Sequence, residues 1–384
     1  MNKQLNVLIF GSGHYVSGQT LLSDMQLTDK DLGVVLPSLF YLRFKNLVDK
    51  ISIYSRSKDK ISSVTSKYSE SKVLSKYDIS FDHIEAESSC IRSSENLQNA
   101  IQETQFSAAI IALPDHMHKE ALEFCIKNKI PSMVLKPAVT NLDDFYFLKE
   151  LMPKDYLCMV DYHKVYDDAN MIIESKLRNN EVGKILAVSS YMSQRIAMVE
   201  VYKDVISKEK LNINHYLGSH YIHLIGFFTM AHPIFVRATG QYGKIKEKFD
   251  IDVFDTMQTS ITWKSKDGSK FESYHHAGWN DSNKSPSMTY QDLRINTSEG
   301  VIFSNQRNRG LEFVAGDIGS SVLNPYFFSP IDSFAGDMNI SSNYGFTAII
   351  KFLTYSQQPA SEMPIKKTSF AESEIVTAVL EAAD

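Results

Sequence analysis

The sequence predicts an α/β unit with an open parallel sheet, followed by an α+β unit with a large, mainly antiparallel sheet. In the first half of the chain, short apolar runs alternate with segments of helical apolar spacing, which is typical of strand–helix–strand units and a parallel sheet. After about residue 160, strand-like runs follow one another and are separated by turns. At 384 residues the chain is long enough for two hydrophobic cores, so we predict domains at 1–160 and 161–384.

Short apolar segments supply the strands of the predicted parallel sheet. They are Asn6–Phe10, Lys50–Tyr54, Ala108–Leu113, Ser132–Leu135 and Tyr156–Val160. Three segments between them carry apolar residues at helical spacing: Leu39–Val48, Leu97–Glu103 and His118–Asn128. Such strands joined by helices predict an open, doubly wound sheet, which binds its ligands beyond the carboxyl ends of the strands.

The second half begins with a predicted helix at Asp167–Asn179 and a strand at Ile185–Ser190. The further strand-like runs are Phe235–Gly240, Thr256–Trp263, Phe271–His276, Asp292–Asn296, Gly300–Ser304 and Glu312–Val314. Between two of them, the turn Lys266–Gly268 is a hairpin signal. We expect closing helices at Asn343–Tyr355 and Ser369–Ala383.

Composition narrows the classes of function. The chain is 43% hydrophobic and 22% charged, which is typical of an ordinary globular protein. Its formal net charge of −5 argues against a general nucleic-acid binder, because phosphate affinity needs clustered Lys and Arg. No run approaches the roughly 18 apolar residues of a membrane span, and the 3 cysteines cannot form a closed set of disulfides. We therefore expect a cytoplasmic protein with a small-molecule partner, and neither a nucleic acid nor a membrane.

A glycine turn directly follows the first predicted strand. Gly11-Ser12-Gly13 matches the first two glycines of the dinucleotide-binding fingerprint of Rossmann folds, in which backbone N–H groups hold the pyrophosphate. We therefore predict cofactor contacts at Gly11, Gly13, His14 and Tyr15. A plain β-turn is the alternative, because two glycines alone are a weak motif.

Two features depart from that fingerprint. The third glycine position is Val16, and helical periodicity resumes only at about Leu36 or Leu39. The segment Ser17–Asp31 is therefore predicted to be an insertion in the phosphate-binding turn.

The end of the second strand bears on which dinucleotide binds. NAD sites usually carry Asp or Glu there for the ribose hydroxyls, whereas NADP sites carry Arg and small polar residues around the 2′-phosphate. This chain has Ser55-Arg56-Ser57-Lys58 and no acid at that place. Because Arg56 and Lys58 would attract a phosphate that Ser55 and Ser57 accept, we predict cofactor contacts there and favour NADP, with NAD second. A solvated basic turn is the alternative.

A longer stretch resembles a known family. Ile110–His118, followed by Val134–Pro137, resembles the glucose–fructose oxidoreductase, inositol dehydrogenase and MocA family. That family carries a pattern like A-T-P-N-x-x-H, and then a buried strand ending in E-K-P. His118, Lys136 and Pro137 match this pattern, and the spacing between the two motifs agrees.

The resemblance extends over nearly the whole chain, with some replacements. Leu113, Asp115 and Leu135 stand where the family has Thr, Asn and Glu. Asn180–Ile185 resembles the family's N-G-x-I-G-x-I turn, and Gly218–Leu224 resembles its G-x-H-x-x-D-L helix.

The resemblance implies site residues and their roles. It implies that Lys136 lies near the nicotinamide and orients or polarises the reacting oxygen, and that His220 acts as the acid/base. A desolvated lysine loses its proton more easily, and a histidine titrates near physiological pH. The other predicted contacts are Leu113, Pro114, His118 and Pro137 for the cofactor, and Tyr162, Lys164, His215 and His223 for the substrate.

Two positions depart from the family's proton relay. Tyr216 stands where many of its dehydrogenases have an aspartate four residues before the motif histidine, and His223 replaces an acid three residues after it. Without a nearby carboxylate, a protonated His220 is less stabilised. Tyr216 is therefore a candidate catalytic residue, as proton donor to a ketone; packing against the substrate is the alternative. His215, His220 and His223 have no acidic or thiol companion, so no metal site is predicted.

The sequence thus predicts an NAD(P)-dependent oxidoreductase that interconverts a hydroxyl and a ketone on a sugar, a cyclitol or a nucleotide-sugar. The substrate class, and a homodimer or homotetramer, come from the family resemblance alone. The alternative is a non-catalytic relative that binds a dinucleotide and regulates a partner protein. The changes at Tyr216 and His223 leave that alternative open, whereas Lys136 and His220 speak against it.

Overall fold

The structure is a computed structural model, and it describes residues 4–18, 32–56, 58–87, 90–209, 211–315, 319–326, 331–332, 338–339, 344–358 and 368–384. Ser57, a predicted cofactor contact, lies outside these residues. So does nearly all of the predicted insertion, at 19–31.

The first sheet has six parallel strands. They are β1 Leu5–Phe10, β2 Val48–Ser55, β3 Asp82–Glu85, β4 Ala108–Ile111, β5 Ser132–Leu135 and β6 Cys158–Asp161. Their order, β3-β2-β1-β4-β5-β6, is that of a Rossmann sheet. The predicted open parallel sheet is confirmed, but β3 was missed. With a single buried side chain, Ile84, this edge strand has no apolar run to reveal it.

Helices accompany the strands of this sheet. They are α1 His14–Ser17, α2 Val35–Phe44, α3 Lys58–Glu70, α4 Glu95–Glu103, α5 His118–Lys127 and α6 Leu142–Leu151. Alternate side chains of β1 enter two cores, Leu8 and Phe10 on one face and Val7 and Ile9 on the other. A strand buried on both faces is a continuous apolar run, which is why the sequence reveals β1.

The second sheet is mixed and mainly antiparallel, as predicted. Its strands are β7 Ile185–Arg195, β8 His232–Gln241, β9 Thr256–Lys264, β10 Lys270–Asp281, β11 Thr289–Thr297 and β12 Gly300–Asn305. They lie in the order β12-β11-β7-β10-β9-β8, and only β7 and β10 pair in parallel. Gly268, with φ 83°, turns the chain between β9 and β10 at the predicted hairpin.

The helices of the second half share a core with one face of this sheet, where Ile261 and Trp263 are buried. They are α7 Asp168–Arg178, α8 Ala197–Glu209, a π-helical turn at Asn214–Gly218, α9 Ser219–Thr229, α10 Lys244–Phe249 and, at the chain end, α12 Ser373–Ala383. Within the described ranges, no helix has the length and apolar character needed to cross a membrane. The opposite face of the sheet exposes apolar side chains: Tyr191, Phe235, Tyr274, Val301 and Phe303.

The end of the chain returns to the first sheet. Helix α11 Tyr344–Tyr355 adds Ile349 and Phe352 to the core that also holds part of β1. The backbone N–H of Val160 in β6 donates to the oxygen of Thr368 at 2.8 Å. Late segments of the second half therefore complete the first core. The remaining short strands are β13 Leu311–Ala315, β14 Gly319–Leu323, β15 Ile331–Asp332 and β16 Met338–Asn339.

Candidate active site

A cavity of about 560 Å³ lies beyond the carboxyl ends of the strands of the first sheet. Residues that follow β1, β2, β4, β5 and β6 line one side of it. Residues from β7, α8, the π-helical turn, α9 and β11 line the other. β1 and β4 are neighbours, and the chain continues from them towards opposite edges of the sheet. Open parallel sheets bind their ligands at such a switch point.

One end of the cavity, the glycine end, is formed by Gly11, Gly13, Ser55 and Arg56. Gly11 has φ 97°, and a Cβ there would lie 2.4 Å from the backbone oxygen of Ala112, so only glycine fits. A Cβ on Gly13 would meet nothing within 4 Å, so the space beside Gly13 is open. A pyrophosphate needs such a close approach to the backbone.

The late start of helical spacing has a structural reason. Gly18 adopts a left-handed conformation (φ 65°) and ends α1 after one turn. Beyond residues 19–31, a Cβ on Gly33 would lie 2.6 Å from the backbone nitrogen of Gly18. The backbone N–H of Val34 also donates to the backbone oxygen of Tyr15 at 2.8 Å. The two ends of that segment therefore meet beside the glycine turn, and the regular helix begins only at α2.

The glycine end carries two basic side chains, Arg56 and Lys60, beside the hydroxyl of Ser55. Lys58, which the sequence pattern groups with Arg56, does not line the cavity. Its Nζ instead pairs with Oε2 of Glu85 at 2.6 Å. Lys60, and not Lys58, therefore accompanies Arg56 in the lining of the cavity.

His118 connects the loops that follow β4 and β5. Its Nδ1 lies 2.9 Å from the backbone oxygen of Pro137, and its Nε2 lies 2.9 Å from that of Leu113. His118 is fully buried, and neither it nor Pro137 lines the cavity, whereas Leu113, Pro114 and Lys136 do. Its contacts fix the two loops that carry Leu113 and Lys136, and this accounts for its place in the motif without a ligand contact.

The other end of the cavity, the polar end, is formed by five side chains: Lys136, Asp161, His163, Tyr216 and His220. Nζ of Lys136 donates to the backbone oxygen of Tyr216 and lies 4.9 Å from the centroid of its ring. Burial raises the pKa of the Tyr216 hydroxyl above its usual value, although hydrogen bonds to Tyr202 and Gln194 oppose that rise. Tyr216 is therefore a weaker acid than a solvated tyrosine, and its role as proton donor stays a prediction.

Two imidazoles and a carboxylate meet at the polar end. The ring centroids of His163 and His220 are 5.0 Å apart. Nδ1 of His163 lies 3.5 Å from Oδ2 of Asp161, and the hydroxyl of Tyr15 donates to the same oxygen at 2.9 Å. The helix of His220 offers no acid at the family positions, but the end of β6 brings Asp161 to the same cavity. Asp161 therefore lies beside His163, the ring neighbour of His220.

Lys164 adds a buried ammonium group to this cavity. Its Nζ donates to Oε1 of Gln291 and, at 2.9 Å, to Oε1 of Gln306. All three side chains line the cavity, as does Gln194. The two amides lie 127 and 142 residues from Lys164 in the chain, so no local sequence pattern could have revealed them.

Three predicted substrate contacts, Tyr162, His215 and His223, are buried without lining the cavity. Tyr162 and His223 stack on each other with ring centroids 3.7 Å apart. Nε2 of His215 lies 3.0 Å from Oδ2 of Asp384. Each of these side chains packs inside the fold, so the cavity gives their predicted substrate contacts no support. Across the described ranges, no group of three or more His, Cys, Asp or Glu side chains is arranged to hold a metal ion.

Comparison with solved structures agrees with this architecture. The fold is that of the inositol dehydrogenases. The scyllo-inositol dehydrogenase of Lactobacillus casei, solved with NAD(H) and scyllo-inositol, matches 99% of this chain and 96% of its own with a TM-score of 0.65 and 12% identity. The myo-inositol 2-dehydrogenase of Lactobacillus plantarum matches 99% of this chain and 97% of its own, with a TM-score of 0.65 and 15% identity.

A third similar structure is an oxidoreductase from Agrobacterium radiobacter in complex with NAD+, L-tartaric acid and magnesium. It matches 99% of this chain and 95% of its own, with a TM-score of 0.66 and 15% identity. No protein-family model matches the sequence, and no curated protein is similar to it in sequence. At such low identity, the likeness establishes the fold.

Proposed function

We propose that this chain is a distant relative of the glucose–fructose oxidoreductase, inositol dehydrogenase and MocA family. It interconverts a hydroxyl and a ketone on a sugar-like or cyclitol-like substrate with a nicotinamide dinucleotide. The observation that carries the proposal is a single cavity that joins the glycine end to Lys136 and His220. The glycine end alone, or Lys136 and His220 alone, would be weak evidence for this function. Their meeting at the switch point of a Rossmann sheet supports an oxidoreductase, and so do the structural neighbours that bind NAD.

The residues of the cavity fit this chemistry. The backbone of Gly11 and Gly13 would hold the pyrophosphate, because one position admits no Cβ and the other opens onto free space. The nicotinamide supplies or accepts the hydride. Lys136, at the end of β5, orients and polarises the reacting oxygen, and His220 gives or takes the proton of the hydroxyl.

NADP is the dinucleotide that the glycine end favours. Arg56 and Lys60 line the cavity beside Ser55, and a 2′-phosphate would receive charge-assisted hydrogen bonds from them. Glu85, at the end of the neighbouring strand β3, is paired with Lys58. No acid follows β2 directly, where NAD sites place theirs.

Two measurements in sequence test the proposal. The purified protein is titrated with NADPH and with NADH by fluorescence, and a panel of polyols, ketoses and nucleotide-sugars is then followed at the absorbance of the reduced nicotinamide. We expect saturable binding, tighter for NADPH, and turnover of at least one compound. Absence of binding by both dinucleotides contradicts the proposal. Tight binding with no turnover favours the alternative, a non-catalytic dinucleotide-binding relative.

The exposed face of the second sheet supports a homodimer or homotetramer. Tyr191, Phe235, Tyr274, Val301 and Phe303 lie on that one face and are exposed in the single chain. Contiguous exposed apolar patches are uncommon on monomers and mark interaction sites. We propose that this face packs against the same face of a second copy, and sedimentation of the protein with Phe303→Asp checks it: the variant should shift towards the monomer.

A further inference from the structure

Asp161 is a buried carboxylate that lines the cavity at the end of β6. Its side chain is 2% exposed. Oδ2 accepts the hydroxyl of Tyr15 at 2.9 Å and lies 3.5 Å from Nδ1 of His163. Oδ1 is buried and has no hydrogen-bond partner among the residues that the structure describes. A carboxylate that is removed from water and incompletely hydrogen-bonded is costly, which points to a role in the site.

His163, the neighbour of Asp161, is held between aromatic rings. Its ring stacks on those of Tyr344 in α11 and Tyr15 in α1, with centroids 5.5 Å and 6.2 Å away, and the His220 ring in α9 lies at a centroid distance of 5.0 Å. The other charged groups that line the same cavity include Lys136 and Lys164, and a second carboxylate, Asp115, whose charge acts on the Tyr216 hydroxyl. Asp161, with Oδ2 at 3.5 Å from Nδ1 of His163, is placed to stabilise a positive charge on that imidazole.

We propose that Asp161 is a positioning residue that acts through His163, and that the His163–His220 pair exchanges the substrate proton. The carboxylate orients His163 and stabilises the positive charge that the imidazole pair acquires. This inference rests on the proposed function. It assigns to the end of β6 the carboxylate that the family resemblance would place at position 216, where this chain has Tyr216.

The proton step balances with groups already named. In oxidation, the O–H bond of the substrate breaks and an N–H bond forms on an imidazole of the pair. The hydride leaves the carbinol carbon with its electron pair for the oxidised nicotinamide, the co-substrate of the proposed function. Reduction of the ketone runs the same transfers backwards, and the proton then comes from the imidazolium.

Asp161→Asn tests this role in the whole protein, because the amide keeps the volume and an oxygen for Tyr15. We expect kcat for oxidation to fall at least about tenfold while KM changes less than about twofold. Oxidation requires a neutral imidazole, and loss of the carboxylate destabilises its protonated form. The acid limb of the pH–rate profile should therefore move to lower pH. The matched control, Asp143→Asn on the exposed side of α6, should leave kcat and the profile unchanged.

A second readout does not depend on turnover. In the protein with 13C-labelled histidine, the NMR signal assigned to His163 by its loss in His163→Gln should titrate at lower pH in Asp161→Asn. In Tyr15→Phe, which frees Oδ2 of one hydrogen bond, the midpoint should move to higher pH. Tyr15→Phe also keeps the test available if Asp161→Asn does not fold.

The outcomes separate the two proposals. If the midpoint of the His163 NMR titration is unchanged in both Asp161→Asn and Tyr15→Phe, the role of Asp161 is overturned, even when the enzyme is active. Moved midpoints with an unchanged kcat and pH profile in Asp161→Asn also overturn it. Moved midpoints in a protein that binds neither dinucleotide overturn the proposed function, and the proton-transfer role falls with it.

Discussion

The glycine end and the polar end of the cavity are built in different ways. At the glycine end the fit depends on the backbone, because Gly11 admits no Cβ and Gly13 opens onto free space. At the polar end it depends on side chains from separate elements: Lys136 after β5, His163 after β6 and His220 on α9. We therefore expect substitutions at the polar end to lower the rate of turnover and to leave the affinity for the dinucleotide nearly unchanged. An added Cβ at the glycine end should act on binding or on folding.

Removal of the ammonium group at the polar end should have the largest effect. Lys136→Met keeps the apolar stem against Tyr216 but removes the charge that would polarise the reacting oxygen. We expect kcat/KM to fall by about 100- to 10,000-fold, with dinucleotide affinity nearly unchanged. Steady-state kinetics and fluorescence titration measure the two quantities. Lys154→Met, on an exposed loop, is the control. Near-normal turnover in Lys136→Met would contradict the division between the two ends.

The two glycines of the turn should respond in opposite ways. Gly13→Val places a side chain in open cavity, so we expect a normal melting temperature and dinucleotide binding weakened at least about 100-fold. Gly11→Ala forces a Cβ to 2.4 Å from the backbone oxygen of Ala112 at φ 97°. Its free energy of unfolding should fall by about 1–3 kcal/mol or more. A stable, fully binding Gly11→Ala protein would refute the backbone argument.

Discrimination between dinucleotides should depend on the basic side chains of the glycine end, and Arg56 is the one to test. Arg56→Ala should raise the Kd of NADPH about 10- to 100-fold, because charge-assisted hydrogen bonds to the 2′-phosphate are lost. The Kd of NADH should change less than about twofold. Lys58→Ala is the matched control, since Lys58 pairs with Glu85 and does not line the cavity. Equal losses for NADPH and NADH in Arg56→Ala would remove the argument for NADP.

The last effect concerns stability in acid rather than activity, in the second sheet, whose strands β7 and β11 line the same cavity. Burial lowers the pKa of His275 to about 3, with Ser190 and Ser273 hydrogen-bonded to its ring. In the unfolded chain the imidazole of His275 binds a proton near pH 6.5, whereas in the folded protein it stays neutral down to about pH 3. The contribution of this buried neutral imidazole to stability is therefore complete above pH 6.5 and is lost as pH falls towards 3. The free energy of unfolding should fall by up to about 1.4 kcal/mol per pH unit there.

Urea unfolding at several pH values measures that slope. His275→Asn, whose amide stays neutral, should show a flatter dependence between pH 6.5 and 3 than the wild type. His232→Asn, at an exposed position of β8, should keep the wild-type slope. Identical slopes in His275→Asn and the wild type would contradict burial of a neutral imidazole.

The contrast between the two ends also explains what the sequence could predict. The glycine turn and Ser55-Arg56 are each a run of consecutive residues, and each lies at the end of a strand, β1 or β2, whose residues are mostly buried. The local sequence pattern was therefore enough to locate both segments. Lys136 and His220 were found through the family resemblance. Both now lie in the same cavity as the turn.

The rest of the polar end depends on tertiary packing. Asp161 and His163 stand in a segment that the family resemblance covers, but only the packing of α9, α11 and Tyr15 around them brings His163 beside His220. Packing also removes candidates, since Tyr162 and His223 bury their rings against each other. Sequence alone gives residue types at these places and cannot tell a packed ring from one that faces a ligand.

Isotope transfer tests the central claim, that the two ends act together in one hydride-transfer site. Wild-type protein is incubated with NADP+ and polyols that carry deuterium on the carbinol carbon, and the mass of the reduced dinucleotide is measured. We predict that at least one polyol gives NADPH that is heavier by one deuterium, and that Lys136→Met abolishes this product. Bound dinucleotide that gains no deuterium from any polyol, or gains it equally in Lys136→Met, would contradict the account.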